Sequence, residues 1–267
     1  MDNVLSFTQG TVPLLISIPH AGLKLTSTVE AGLVPDAAGL PDTDWHIPRL
    51  YDFAHELGAS VLSAEYSRFV IDLNRPSDDA PLYAGATTGL FPSILFEGQP
   101  LFKDGQAPSE QERATYLQKI WGPYHRALDE ELERLRSEFG YALLWDAHSI
   151  RAQIPHLFDG QLPDFNLGTF NGASCEPSLA AALEAVCAGN PQFTHVLNGR
   201  FKGGHITRHY GDPSRDIHAV QLELVQRAYM EEFEPFVYRE DLAAPTREQL
   251  RALLQTMLAW GAQRYGQ

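Results

Sequence analysis

The chain is expected to fold as an α/β protein, a three-layer α/β/α sandwich around a mixed, largely parallel sheet. Three observations point there: short apolar runs alternate with longer amphipathic segments, the runs end in Gly, Pro or polar residues, and the amphipathic segments carry helix-capping signals. In such sheets, functional side chains gather beyond the strand ends. At 267 residues the chain can bury a sizeable core, and a single domain over 1–267 is expected.

Residues 14–19, LLISIP, read as a central strand followed at once by His20. Asp42, Thr43 and Asp44 supply N-cap oxygens for a helix from Trp45 to Leu57, with Pro48 in its first turn and Gly58 as its stop. Strands are expected at Ala59–Ala64 and Arg68–Leu73, the latter running into Asn74 and Arg75. Residues 77–108, rich in Pro, Gly and Asp, form a long irregular segment of the kind that is functional or mobile.

Ser109 and Glu112 make a capping box that opens a long helix kinked at Gly122-Pro123 and stopped at Gly140. Tyr141–Trp145 suit a buried strand, with Asp146, His148 and Ser149 just past its end; two residues apart on extended chain, Asp146 and His148 share a face. An irregular stretch to about Ala173 precedes a helix with Cys175 and Cys187, which are too far apart along it, about 18 Å, for a disulfide. Strands follow at His195–Phe201 and 217–225, where Glu223 lies on the face opposite Val220, Leu222 and Leu224. A last helix is expected to open at Thr246.

A net charge of -14 opposes general affinity for nucleic acid or anionic membrane, so an anionic ligand needs local arginines. No apolar run reaches the roughly 18 to 20 residues of a membrane span, and a basic stretch with an apolar core is missing at the N-terminus, so a soluble cytoplasmic protein is expected.

His20, an acid from Asp42–Asp44 and His148 form a candidate metal set, two imidazoles and a carboxylate, as in hydrolytic zinc sites. Asp44 is preferred to Asp42, although helix capping competes for both. Asp146 is placed to orient His148. Glu223 is the candidate general base, and Arg75, Arg151 and Arg208 are candidate carboxylate anchors. A serine hydrolase is disfavoured, since no G-x-S-x-G elbow is present and Ser149 points away from His148.

Six segments, SIPHAG (17–22), DTDW (42–45), SRFVIDLNRP (67–76), DAHS (146–149), GGHITRHYG (203–211) and AVQLELVQRAYM (219–230), together resemble the N-formylglutamate amidohydrolase family. The resemblance implies a fold related to zinc carboxypeptidases and aspartoacylase. It implies hydrolysis of N-formyl-L-glutamate to formate and L-glutamate, a last step of one histidine-degradation route. It also implies His20, Asp44 and His148 as ligands of one ion, Zn2+ or else Co2+, Ni2+ or Fe2+. Glu223 becomes the acid/base, Asn74 and Arg75 a carboxylate-binding pair, and Arg68 an oxyanion donor or a brace. One departure stands out: the relatives' His-x-x-Glu pattern is missing, because Leu23 stands three places after His20. A monomer or homodimer is expected. The competing readings are a different N-acyl amino acid or short-peptide hydrolase on the same fold, and a non-enzymatic binding module.

Overall fold

The computed structural model describes residues 3–82 and 88–266. Among these residues, seven strands form one sheet in the order β1-β3-β2-β4-β7-β5-β6. These are β1 (Leu5–Thr8), β2 (Leu14–Ile18), β3 (Ser60–Ala64), β4 (Ala142–Ile150), β5 (Phe165–Gly168), β6 (His195–Leu197) and β7 (Ile217–Val225). The neighbours β3-β2-β4-β7 are parallel, as are β5 and β6; β1 on β3 and β5 on β7 are antiparallel. The sheet is therefore mixed and largely parallel.

Side chains alternate along β4 and β7 and serve two cores. Leu143, Trp145 and Ala147 with Val220, Leu222 and Leu224 face one layer, formed by α2 (Ile47–Leu50), α5 (Pro177–Ala188) and α7 (Glu240–Tyr265). Ala142, Leu144 and Ala219 face the other, with α1 (Ser27–Gly32), α3 (Glu110–Tyr116), α4 (Gly122–Phe139) and α6 (His205–Tyr210). Both faces are covered, which is why the central strands read as apolar runs.

The capping box at Ser109 and Glu112 is present, and Gly140 ends the long helix at φ 82°. A π-turn at Leu117–Trp121 interrupts the helix immediately before Gly122-Pro123. Both cysteines are free and buried, with Cys175 two residues ahead of α5.

Several elements differ from expectation for identifiable reasons. The segment 68–73 is not a strand: Val70 N–H closes a turn onto Ser67, and the position beside β3 is taken by β1. Phe69, Val70, Ile71 and Leu73 are instead buried in the second core beneath a loop. The helix expected over 45–57 breaks at Tyr51 into α2 and a 3-10 turn at Asp52–His55, and Gly58, at φ 74°, still closes it. Helix α7 starts at Glu240, six residues before Thr246, and tolerates Pro245 inside; the Thr246 hydroxyl bonds Ala228 O and Leu242 O rather than capping. Strand β5, within a stretch expected to be irregular, pairs antiparallel with β7. Strand β4 continues through Ile150, so Asp146 and His148 lie on the strand and not past its end. Among the described residues, no helix is long and apolar enough to cross a membrane.

Candidate functional site

Three chain segments meet at the C-terminal ends of β2 and β4. His20 follows β2 by two residues. Asp44 is tied to it by a backbone bond from Asp44 N–H to His20 O at 3.1 Å, and His148 projects from β4. Neither acid of the 42–44 segment caps α2, whose N-cap position is His46 at φ 62°. Asp42 Oδ2 accepts from Phe96 N–H, whereas Asp44 Oδ2 accepts from Ser149 N–H at 3.1 Å and faces the histidines.

His20 Nδ1 and His148 Nδ1 lie 3.1 Å apart, and Asp44 Oδ2 is 3.2 Å from the second and 3.8 Å from the first. Tetrahedral ligands at about 2.0 to 2.2 Å from one ion sit roughly 3.3 to 3.5 Å from each other, so the spacing fits a shared cation. All three residues are buried. The far ring nitrogens strengthen the fit. His20 Nε2 is 2.7 Å from Asp72 Oδ1 and His148 Nε2 is 3.1 Å from Asp146 Oδ1. The Asp72 carboxylate favours Nε2–H on His20, which turns that ring's Nδ1 lone pair toward His148 Nδ1, and Asp44 Oδ2 closes the triangle. A cation at that point would be shared by all three groups.

Asp72 escaped the sequence reading, absorbed into the apolar run VIDL. Its other oxygen accepts from Arg68 Nη2 at 2.7 Å, so Arg68, Asp72 and His20 form a buried chain. Burial works against the Asp72 charge, but His20 and Arg68 hold its carboxyl well below the usual range. On His148, burial is outweighed by Asp146 and Asp44, which push the imidazole well up; His20 is lowered by burial and by Arg68. The only available signal for Asp72 was an acid four places after an arginine and two before an asparagine.

Glu223 stands directly across the β4–β7 ladder from His148, and parallel register puts both side chains on one face. Burial raises its carboxyl to about 8, against the pull of His148. Gln221, also missed, donates to Glu223 Oε2 at 3.3 Å and accepts from Gly204 N–H at 2.6 Å.

The anchors divide. Asn74 lies behind His148: its amide oxygen accepts from Ile206 N–H, and its nitrogen contacts Asp146 Oδ2 at 3.3 Å and His148 Nε2 at 2.9 Å. Arg75 donates to Thr88 O and Asn74 O, and Arg208 to Gly203 O and Leu82 O. Arg151 pairs with Glu97 at 2.8 Å and approaches Asp42. Leu23, at the place of the missing glutamate, is exposed, and Asp44 completes the candidate triangle.

Residues 12–230 match the family model described as N-formylglutamate amidohydrolase. The chain is 72% identical over 265 residues to the N-formylglutamate deformylase of Pseudomonas putida, covering 99% of each. It is 67% identical to that of Pseudomonas aeruginosa, covering 99% of this chain and 100% of the relative. The crystal structure of N-formylglutamate amidohydrolase from Ralstonia eutropha JMP134 superposes with a TM-score of 0.82 at 24% identity, over 98% of this chain and 99% of that one.

Proposed function

Because this chain belongs to the N-formylglutamate amidohydrolase family, we propose that it hydrolyses N-formyl-L-glutamate to formate and L-glutamate at the His20, Asp44 and His148 centre. The observation that carries the reading is the pair of opposed Nδ1 atoms with Asp44 closing the triangle and Glu223 across the ladder from His148.

Two imidazoles and one carboxylate with a fourth position open suit Zn2+, one ion per chain, and the same donors accept Co2+, Ni2+ or Fe2+. Such an ion supplies Lewis acidity, polarising a carbonyl and lowering the pKa of water. Glu223 takes a proton from the attacking water and returns it to the amide nitrogen as the C–N bond breaks, so formate and the free amine of glutamate leave. Burial favours a proton on this carboxyl, which suits its second task as an acid. Asp72 and Asp146 orient the two imidazoles, Arg68 braces Asp72, and Asn74 steadies Asp146.

Arg151 is the best-placed carboxylate anchor: it follows β4 directly and is only 9% exposed. Arg75 and Arg208 donate to backbone carbonyls and shape the wall beyond Asn74. We read the protein as a cytoplasmic enzyme of histidine breakdown.

The test is formate release from N-formylglutamate by purified protein with and without a chelator, beside acetylated and peptidyl substrates. Formate release that a chelator abolishes supports the reading. Full activity in a metal-free sample, or a strong preference for acetyl-aspartate, overturns it.

A further inference from the structure

Arg151 uses its guanidinium unevenly. Nη1 donates to Glu97 Oε1 at 2.8 Å, Nη2 stops 3.8 Å from Asp42 Oδ1, and Nε is buried without a partner among the described residues. Asp42 Oδ1 is a buried orphan as well, while its other oxygen is held by Phe96 N–H. The Nε–Nη2 edge, which grips a carboxylate by two parallel bonds, therefore has neither donor committed to a close acceptor. Glu97 has a different character. Its side chain is 38% exposed and sits on a tight turn closed by Gly98 N–H to Leu95 O, with Gly98 at φ 89°. Among the described residues, this buried cation just past β4 thus has its shortest ion pair with a carboxylate that reaches in from the surface.

We propose that Glu97 is an internal counter-ion for Arg151, one that weakens the hold of this arginine on a substrate carboxylate and, equally, on the same carboxylate in the product. The proposal rests on the reading of Arg151 as a substrate anchor. L-glutamate retains both carboxylates of N-formylglutamate, so an anchor gripping either one grips both molecules. Binding that is equal in substrate and product does not speed the chemical step and slows release. A carboxylate already paired with the arginine reduces the fraction of sites ready to bind, and apparent affinity falls by that fraction.

The experiment compares metal-loaded wild type, Glu97→Gln and Arg151→Lys by calorimetric binding of L-glutamate and by KM for N-formylglutamate. Glu97→Gln is expected to lower both constants about 1.5-fold to fivefold, the range set by a part-exposed ion pair. With L-glutamine and L-isoglutamine as probes, the gain should vanish for the one lacking the carboxylate that Arg151 holds. Unchanged or higher constants in Glu97→Gln, or a gain that persists with both monoamides, overturn the inference. Arg151→Lys separates the two readings: if it leaves both constants unchanged, the assignment of Arg151 as an anchor fails first. If it raises them while Glu97→Gln has no effect, only the counter-ion idea fails.

Discussion

His148 and Glu223 occupy facing positions of the β4–β7 ladder, so a candidate metal ligand and a candidate proton carrier are held at one fixed rung of a parallel sheet. Removing the Glu223 carboxylate should therefore leave ion binding intact. Glu223→Gln is expected to lower kcat by about 10^2 to 10^4, the usual contribution of a positioned acid/base, with metal content unchanged by elemental analysis. Near-normal turnover in this variant would remove Glu223 from the mechanism.

Stripping the ion should cost both activity and stability. The two Nδ1 atoms, 3.1 Å apart, and Asp44 would lose the ion that they share, leaving only a proton on His148 to join them. Chelated protein is expected to melt at lower temperature, and the loss should be recovered by adding one equivalent of Zn2+ per chain. A melting curve indifferent to chelator would argue against a shared cation.

The carboxylate behind His20 sets the tautomer of its ring. Asp72→Asn preserves shape but loses the charge that faces Nε2, and metal affinity should weaken about 10- to 100-fold. Competition with a chromogenic chelator measures this directly, and an unchanged affinity would reduce Asp72 to a packing role.

His125 should contribute to acid sensitivity. It is buried between Tyr210 OH and Leu73 O, and burial lowers its imidazole to about 3. The folded chain keeps this ring neutral while the unfolded chain protonates it below about 6.5, so the unfolded state binds the extra proton between those values. Stability should fall as pH drops through that window, by about 1.4 kcal/mol per pH unit for this one group. His125→Asn should show a shallower slope of melting temperature between pH 6 and 4.

The two thiols should be inert in the native state. Burial pushes Cys175 up to about 12 and Cys187 up to about 11, so almost no thiolate exists near neutrality. Both should react with a thiol reagent only after denaturant is added; rapid labelling of folded protein would contradict their burial.

The sheet and the clustering of His20, Asp44 and His148 were legible because each left a local mark: a fully buried strand is an apolar run, and His20 and His148 interrupt or end one. The capping box at Ser109 was legible for the same reason. What escaped was decided at long range. Phe69, Val70 and Ile71 look like a strand, but β1 occupies the edge they would have joined. Asp72 sits in that misread run, and its importance comes from two partners, Arg68 and His20, that only the folded loop brings to it. Asn74 was marked as a carboxylate binder, and its amide is engaged by Ile206 N–H and Asp146, partners that only the fold brings to it.

The two imidazoles come from positions 128 residues apart, and the carboxylate between them arrives from a third segment. No fragment shorter than residues 20–148 carries all three of these groups. A cation held at the proposed centre would therefore be captured only once β2 and β4 lie side by side, and its loading would report completed assembly.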